Sequence, residues 1–169
     1  MPFDIDTSQS LAIMSAVTTQ VAAIPIRWTS GRPEVLLITT RGAGRWTVPK
    51  GWPLVDSIGA ECAQREAFEE AGVRGAVEPY SLGTYEYWKN AKQGRVILQV
   101  TAFALHVDRI LQDWPERAER KRTWFSPEVA AKLAANEQLG VLIKAAAQIG
   151  APTLAWRERT PVRAAGLAN

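Results

Sequence analysis

Cysteine and histidine are almost missing from this 169-residue sequence, which holds one of each, Cys62 and His106. A lone cysteine excludes an intramolecular disulfide framework, and no CxxC pair or His/Cys cluster stands at the spacing a structural zinc requires. A reducing cytoplasm is the compartment this composition fits. Long apolar runs are missing as well: the largely apolar stretch Leu11 to Val17 is seven residues long and follows Asp4 and Asp6, where a signal peptide carries positive charge. The expectation is no export signal and no membrane span. A dominant charge is also absent, because 20 Lys and Arg against 17 Asp and Glu leave a net +3. That is too little to hold nucleic acid nonspecifically, although it assists the approach of a small anion. What the chain does have is a 47% hydrophobic content, enough for one core without metal or disulfide support.

Along the chain, residues 1–17 show no sustained period and are expected to form a flexible arm before a domain over 18–150, with a flexible Arg/Pro/Ala-rich tail over 151–169. Within the domain, Gln20 to Trp28 and Glu34 to Thr40 read as strands separated by a turn at Thr29–Pro33. Thr47 to Pro53 places Pro49 and Pro53 around Gly51, and each proline fixes its own φ and restricts the residue before it, so a stiff loop is expected. Asp56 or Ser57 is placed to cap a helix running to Ala71, where Gly72 supplies a left-handed stop. Tyr80 to Trp88, Val96 to Val107 and Arg122 to Phe125 read as strands, and Ser126-Pro127 opens a helical segment reaching Ile149. The order is mixed α and β.

At about 100° per residue, Ala60, Ala63, Ala67 and Ala71 form a narrow stripe on the first helix, and Glu66, Glu69 and Glu70 form a second stripe roughly 110° away. The alanines allow close approach to a sheet. Three carboxylates at i, i+3 and i+4 repel one another by about 0.2 to 0.5 kcal/mol per close pair, so a cation is expected to offset them. Arg65 offers part of it, four residues after Glu61 and four before Glu69. A hard divalent cation offers the rest, since Mg2+ takes a few carboxylate oxygens and completes its shell with water and phosphate oxygens. The bland reading is a solvated acidic face. The proline-stiffened loop before the helix, Arg65 within it and the glycine after it favour the cation.

Gly51 through Val73 resembles the Nudix box, with Gly51 and Arg65-Glu66-Ala67-Phe68-Glu69-Glu70-Ala71-Gly72-Val73 at the family's spacing; Ser57 stands where the pattern has its first Glu. The segments Thr39 to Trp46, Asp113 to Glu116 and Arg120 to Phe125 look like those of diphosphoinositol polyphosphate phosphohydrolases, whose relatives also cleave diadenosine polyphosphates. The resemblance implies an α/β Nudix fold, a mixed β-sheet sandwiched between helices with a loop-helix-loop box. It implies Mg2+ or Mn2+ held by Glu66, Glu69 and Glu70 with the Gly51 carbonyl, Glu66 or Glu69 as general base beside Arg65, and hydrolysis of a diphosphate linkage in a phosphorylated small molecule. Thr39, Arg41 and Arg120 occupy positions like phosphate contacts in those enzymes, and Arg45 and Lys50 join them as charge leading into the box. The departure at Ser57 puts the start of the helix and the rate in question.

Lys121 and Arg122 extend the basic group after the Trp-Pro-Glu segment, and Lys89, Lys92 and Arg95 surround a hairpin turn where a solvated surface is the plainer reading. Gly42-Ala-Gly44 is not a dinucleotide fingerprint, because Thr47 takes the third glycine's place and no helix follows directly. His106 lies in an apolar run without a nucleophile elbow, and it reads as structural. Among Trp46, Trp88, Trp114 and Trp124 a base-stacking residue competes with ordinary packing. The rival functions are a nucleoside diphosphate-sugar or RNA-end pyrophosphatase and, from another class, a noncatalytic nucleotide-binding module. Oligomeric state is not legible.

Overall fold

The structure, a computed structural model, describes residues 19–57, 59–92, 94–134 and 136–150. The expected arm over 1–17 and the tail over 151–169 lie outside the described residues. In chain order the described elements are β1 (Thr19–Thr29), β2 (Arg32–Thr39), β3 (Trp46–Thr47), β4 (Lys50–Gly51), α1 (Gly59–Ala71), β5 (Val73–Val77), β6 (Gly83–Ala91), β7 (Gly94–Ile110), β8 (Arg122–Phe125), α2 (Pro127–Leu133) and α3 (Glu137–Ala147). The strands form one mixed sheet. β1 runs parallel to β7, from Thr19 opposite Gln99 to Ile26 opposite His106, while the other pairings are antiparallel.

Alternation along the central strands divides the core into two layers. Ala22, Ile24 and Ile26 of β1, with Leu37 of β2 and Val100 of β7, face α2 and α3. Val21 and Ala23, with Leu36 and Ile38 of β2 and Phe103 and Leu105 of β7, face α1. Ala60, Ala63, Ala67 and Ala71 are buried in that second layer, as their spacing required. The helix packs so close that a side chain at Gly59 would come within 2.8 Å of Phe103. The α/β sandwich expected from the sequence is the architecture observed.

Two expectations are corrected, and one strand is added. The helical segment from Ser126 to Ile149 is two helices, because the Asn136 side chain accepts a hydrogen bond from the Leu139 amide at 2.9 Å and starts α3 anew. Ser57 does not cap α1. Its hydroxyl turns back on Leu54 at 3.2 Å, and the helix is assigned from Gly59. The strand β5 had no counterpart in the sequence pattern: Gly75 interrupts its apolar run, and a register shift between Arg74 and Gly75 brings that glycine so close to the His106 carbonyl of β7 that no side chain fits.

Candidate active site

Two short segments set the geometry. β4 is held against β1, with Gly51 opposite Val21 and Lys50 opposite Ala22, and the Ala23 amide donates to the Pro49 carbonyl at 3.0 Å. α1 lies across the same end of the sheet and turns its glutamates toward β4. The Glu66 carboxylate fills the space where a Gly51 side chain would stand, so any Cβ there would overlap it. The Lys50 amide donates to Glu70 Oε2 at 3.0 Å. The stiff loop therefore presents backbone to both carboxylates, and only glycine permits the closer of these two approaches.

Arg65 makes a clamp. Its Nη2 donates to the Trp52 carbonyl at 2.8 Å and to Glu66 Oε1 at 2.8 Å, and its Nε stands 3.8 Å from Glu69 Oε1. The expected partner at Glu61 is not engaged among the described residues; Glu66, one residue on, takes the guanidinium instead. Glu70 is held from the other side by Arg120 Nη2. Arg120 also donates through Nε to Glu116 Oε2 at 2.5 Å and through Nη1 to the Thr39 carbonyl at 3.0 Å. Glu116 in turn accepts from Arg41 Nη2 at 2.6 Å, and Arg41 Nε reaches Glu119 at 2.9 Å. Glu116 was not singled out in the sequence. Its four-residue spacing from Arg120 was a visible local signal, but its proximity to Glu70 depends on the chain fold.

Burial governs the electrostatics. Glu66 is 7% and Glu70 8% exposed, and withdrawal from water pushes both carboxyls up, Glu70 to about 7, with Arg65 and Arg120 respectively opposing the shift. Glu69 is the open member of the set, its side chain 43% exposed. The Lys50 ammonium is pushed down by burial, partly countered by Glu70.

On the other side of Lys50 lies a cavity of about 510 Å3. Arg45, Lys50, Lys89 and Arg95 line it, together with Trp46, Tyr85, Tyr87 and Trp88, and no acidic residue is among its described walls. Three of these cations rest on aromatic faces rather than on carboxylates: Lys50 Nζ lies 5.2 Å from the Tyr87 ring centre, Lys89 Nζ 5.9 Å from that of Trp52, and the Arg95 guanidinium 5.0 Å from that of Trp88. The structure thus brings Arg45 and Lys50 together with the hairpin residues Lys89 and Arg95. It turns Arg41 the other way, toward Glu116.

The remaining candidates are occupied elsewhere. The Thr39 hydroxyl accepts the Lys121 amide at 2.9 Å and ties β2 to the segment before β8. Arg122 donates to the Ala71 and Gly72 carbonyls at 2.7 and 3.1 Å and to the Leu111 carbonyl at 2.6 Å, closing the C-terminus of α1 over the Trp114 ring. His106 is buried and bonded to Glu78 at 2.8 Å. No helix among the described residues is long and apolar enough to cross a membrane.

Comparisons with known proteins bear on the family and the fold. The family profile described as the NUDIX domain matches residues 18–145. Over 130 residues the chain is 36% identical to Nudix hydrolase 21, chloroplastic, of Arabidopsis thaliana, a match covering 74% of this chain and 64% of that protein. It is 37% identical over 103 residues to diphosphoinositol polyphosphate phosphohydrolase 3-beta of Bos taurus, covering 59% of each. The chain thus spans about half to two thirds of the length of these relatives. Among solved structures, a Caenorhabditis elegans Ap4A hydrolase binary complex superposes with a TM-score of 0.57 at 22% identity, over 76% of this chain and 93% of that one. The NUDIX domain of Shewanella oneidensis NrtR complexed with ADP ribose superposes at 0.56 and 17%, over 82% and 97%. At such identities the structures speak to the fold alone.

Proposed function

Because the chain belongs to the Nudix family, we propose that it hydrolyses a phosphoanhydride linkage in a diphosphoinositol polyphosphate or a dinucleoside polyphosphate, with Mg2+ or Mn2+ as cofactor. The observation that carries the substrate class is the cavity beside Glu70. Among the described residues four cations and no acid line it, and Lys50 belongs both to that wall and, through its amide, to the carboxylate cluster. A substrate with many phosphates gives each cation an acceptor, at about 1.5 to 3 kcal/mol per charge-assisted bond, whereas a nucleotide sugar offers two phosphates.

The cofactor assignment draws on the donor set. Glu66, Glu69, Glu70 and the Gly51 carbonyl are oxygen donors suited to a hard cation, and two of these carboxylates are withdrawn from water without full compensation. Among the described residues, no three acidic, histidine or cysteine side chains converge on one point, and Arg65 and Arg120 occupy oxygens of Glu66 and Glu70. The donors fit the ion once Arg120 gives way at Glu70. When bound, a divalent cation would offset phosphate charge and lower the pKa of a water. Arg65 positions Glu66 against Gly51, and the cavity cations orient the phosphate chain.

The same reading assigns a folded domain over 18–150 and a reducing cytoplasm, a compartment in which a chain with a single cysteine is at home. The test is a phosphate-release panel over diphosphoinositol polyphosphates, dinucleoside polyphosphates and nucleotide sugars, with Mg2+, with Mn2+ and with chelator. Metal-dependent turnover of the first two is expected. Turnover undiminished by chelator, or confined to nucleotide sugars, would overturn the proposal.

A further inference from the structure

Glu116 stands at the centre of an uninterrupted chain of charged contacts from the protein surface to a buried carboxylate. Arg41, its side chain 59% exposed, donates to Glu116 Oε1 at 2.6 Å. The other oxygen of the same carboxylate accepts Arg120 Nε at 2.5 Å, and Arg120, only 8% exposed, reaches Glu70 with Nη2. The segment is also tied to α1 through its backbone, because the Glu116 amide donates to the Glu69 carbonyl at 3.1 Å. One carboxylate therefore divides its charge between two guanidiniums, one open to solvent and the other covering Glu70.

We infer that Glu116 is a positioning residue that couples anion capture at Arg41 to cation binding at Glu70. When a phosphate takes Arg41, Glu116 gives both oxygens to Arg120, Arg120 loosens from Glu70, and the freed carboxylate accepts a divalent cation. Reciprocity follows from thermodynamics: a cation on Glu70 returns Arg120 to Glu116 and leaves Arg41 free for phosphate, so each ligand raises affinity for the other. The inference rests on the proposed function, in which Glu70 is a cation ligand.

The simpler possibility is that Arg41 acts on the cation only by its charge through space, and Glu116 separates the two. The experiment measures Mn2+ affinity by electron paramagnetic resonance of free Mn2+, with no substrate present. Arg41→Ala, at an exposed position, imitates capture of Arg41 by an anion and is expected to tighten Mn2+ binding about threefold or more. In a Glu116→Gln background the same substitution is expected to change nothing, because Glu119, the other partner of Arg41, makes no contact with Arg120 among the described residues and no carboxylate then bridges the two arginines. Glu116→Asp provides a second background that keeps the charge but shortens the arm, so it cannot reach both guanidiniums; there too the shift is expected to vanish. An equal shift in wild type and in both backgrounds would overturn the coupling while leaving Glu70 as a ligand. Mn2+ binding that is absent, or that Glu70→Gln leaves unchanged, would overturn the cation assignment in the proposed function and the coupling with it.

Discussion

Lys50 meets Glu70 with its backbone and not with its ammonium: the amide donates to Glu70 Oε2 at 3.0 Å while Nζ lies 5.2 Å over the Tyr87 ring. A two-residue strand thus serves two environments. Its main chain completes the carboxylate cluster, and its side chain enters the cationic cavity. Substitution of the Lys50 side chain leaves the amide in place, so the two roles are separable in principle.

Glu70 gives the first prediction, for the metal-free protein. Burial pushes its carboxyl from 4.5 to about 7 against the opposing pull of Arg120 and the Lys50 amide. The folded state then keeps a proton that the unfolded chain releases at lower pH. That contribution is full below pH 4.5 and is lost as pH rises through about 7, the reverse of an ordinary salt-bridged carboxylate. In chelator, Glu70→Gln is expected to flatten this fall in stability. Urea midpoints of both proteins across the interval measure it, and parallel profiles would show that Glu70 is already ionised throughout.

Gly51 gives the second. A methyl group there overlaps the Glu66 carboxylate, whereas β4 remains paired with β1 through its backbone. Gly51→Ala is expected to drive Glu66 out of position, lowering kcat by about tenfold or more, with an overpacking cost of about 1 to 3 kcal/mol. A rate within about twofold of wild type would mean that Glu66 has room to move without consequence.

How much of this was legible follows from the range of the interactions. The alanine stripe, the glutamate stripe and the stop at Gly72 are set by spacing within one helix, and the sequence displays that spacing directly. The break at Asn136 was harder, because an asparagine is an interior residue or a cap depending on whether the turn before it has somewhere to pack. Gly140 of α3 approaches the Ala131 carbonyl of α2, with space of only 3.1 Å for an added Cβ, and that crossing rewards two helices over one. Glu116, Lys89 and Arg95 reach the site only through long-range pairing: the loop before β8 tied to α1, and the β6–β7 hairpin folded over the cavity. No local period announces such residues. The same limit applies to Arg122, which sequence proximity grouped with Arg120 but which the fold directs to helix carbonyls.

Arg122 gives the third prediction. It donates to three carbonyls around the end of α1, and Gly72, at φ 61°, stands so close that an added Cβ would come within 2.6 Å of Trp114 and 2.7 Å of Arg122. Arg122→Ala is expected to cost about 1.5 to 3 kcal/mol of stability. Its effect on KM should be alike for all substrates. Thermal or urea unfolding reports the first quantity, and a KM change confined to polyphosphates would instead make Arg122 a phosphate contact.

The last prediction concerns the hairpin cations, whose partners in the free protein are rings. A cation over an exposed aromatic face gains about 0.5 to 1 kcal/mol, while a charge-assisted bond to phosphate is worth about 1.5 to 3. Lys89 and Arg95 should therefore exchange Trp52 and Trp88 for a polyanion, whereas carboxylate-paired Arg41 must first give up Glu116 and Glu119. Lys89→Ala and Arg95→Ala are each expected to raise KM for a diphosphoinositol polyphosphate by about tenfold, with kcat and Mn2+ affinity little changed, and to raise it less for a nucleotide sugar. The difference should shrink at high ionic strength, because these cations face solvent-filled space. Neither residue supports a strand register or a helix cap through its side chain, so a folding defect would not imitate this pattern. Equal, small losses on every substrate would return Lys89 and Arg95 to the solvated surface and leave Arg45 and Lys50 as the cavity's only phosphate-binding cations.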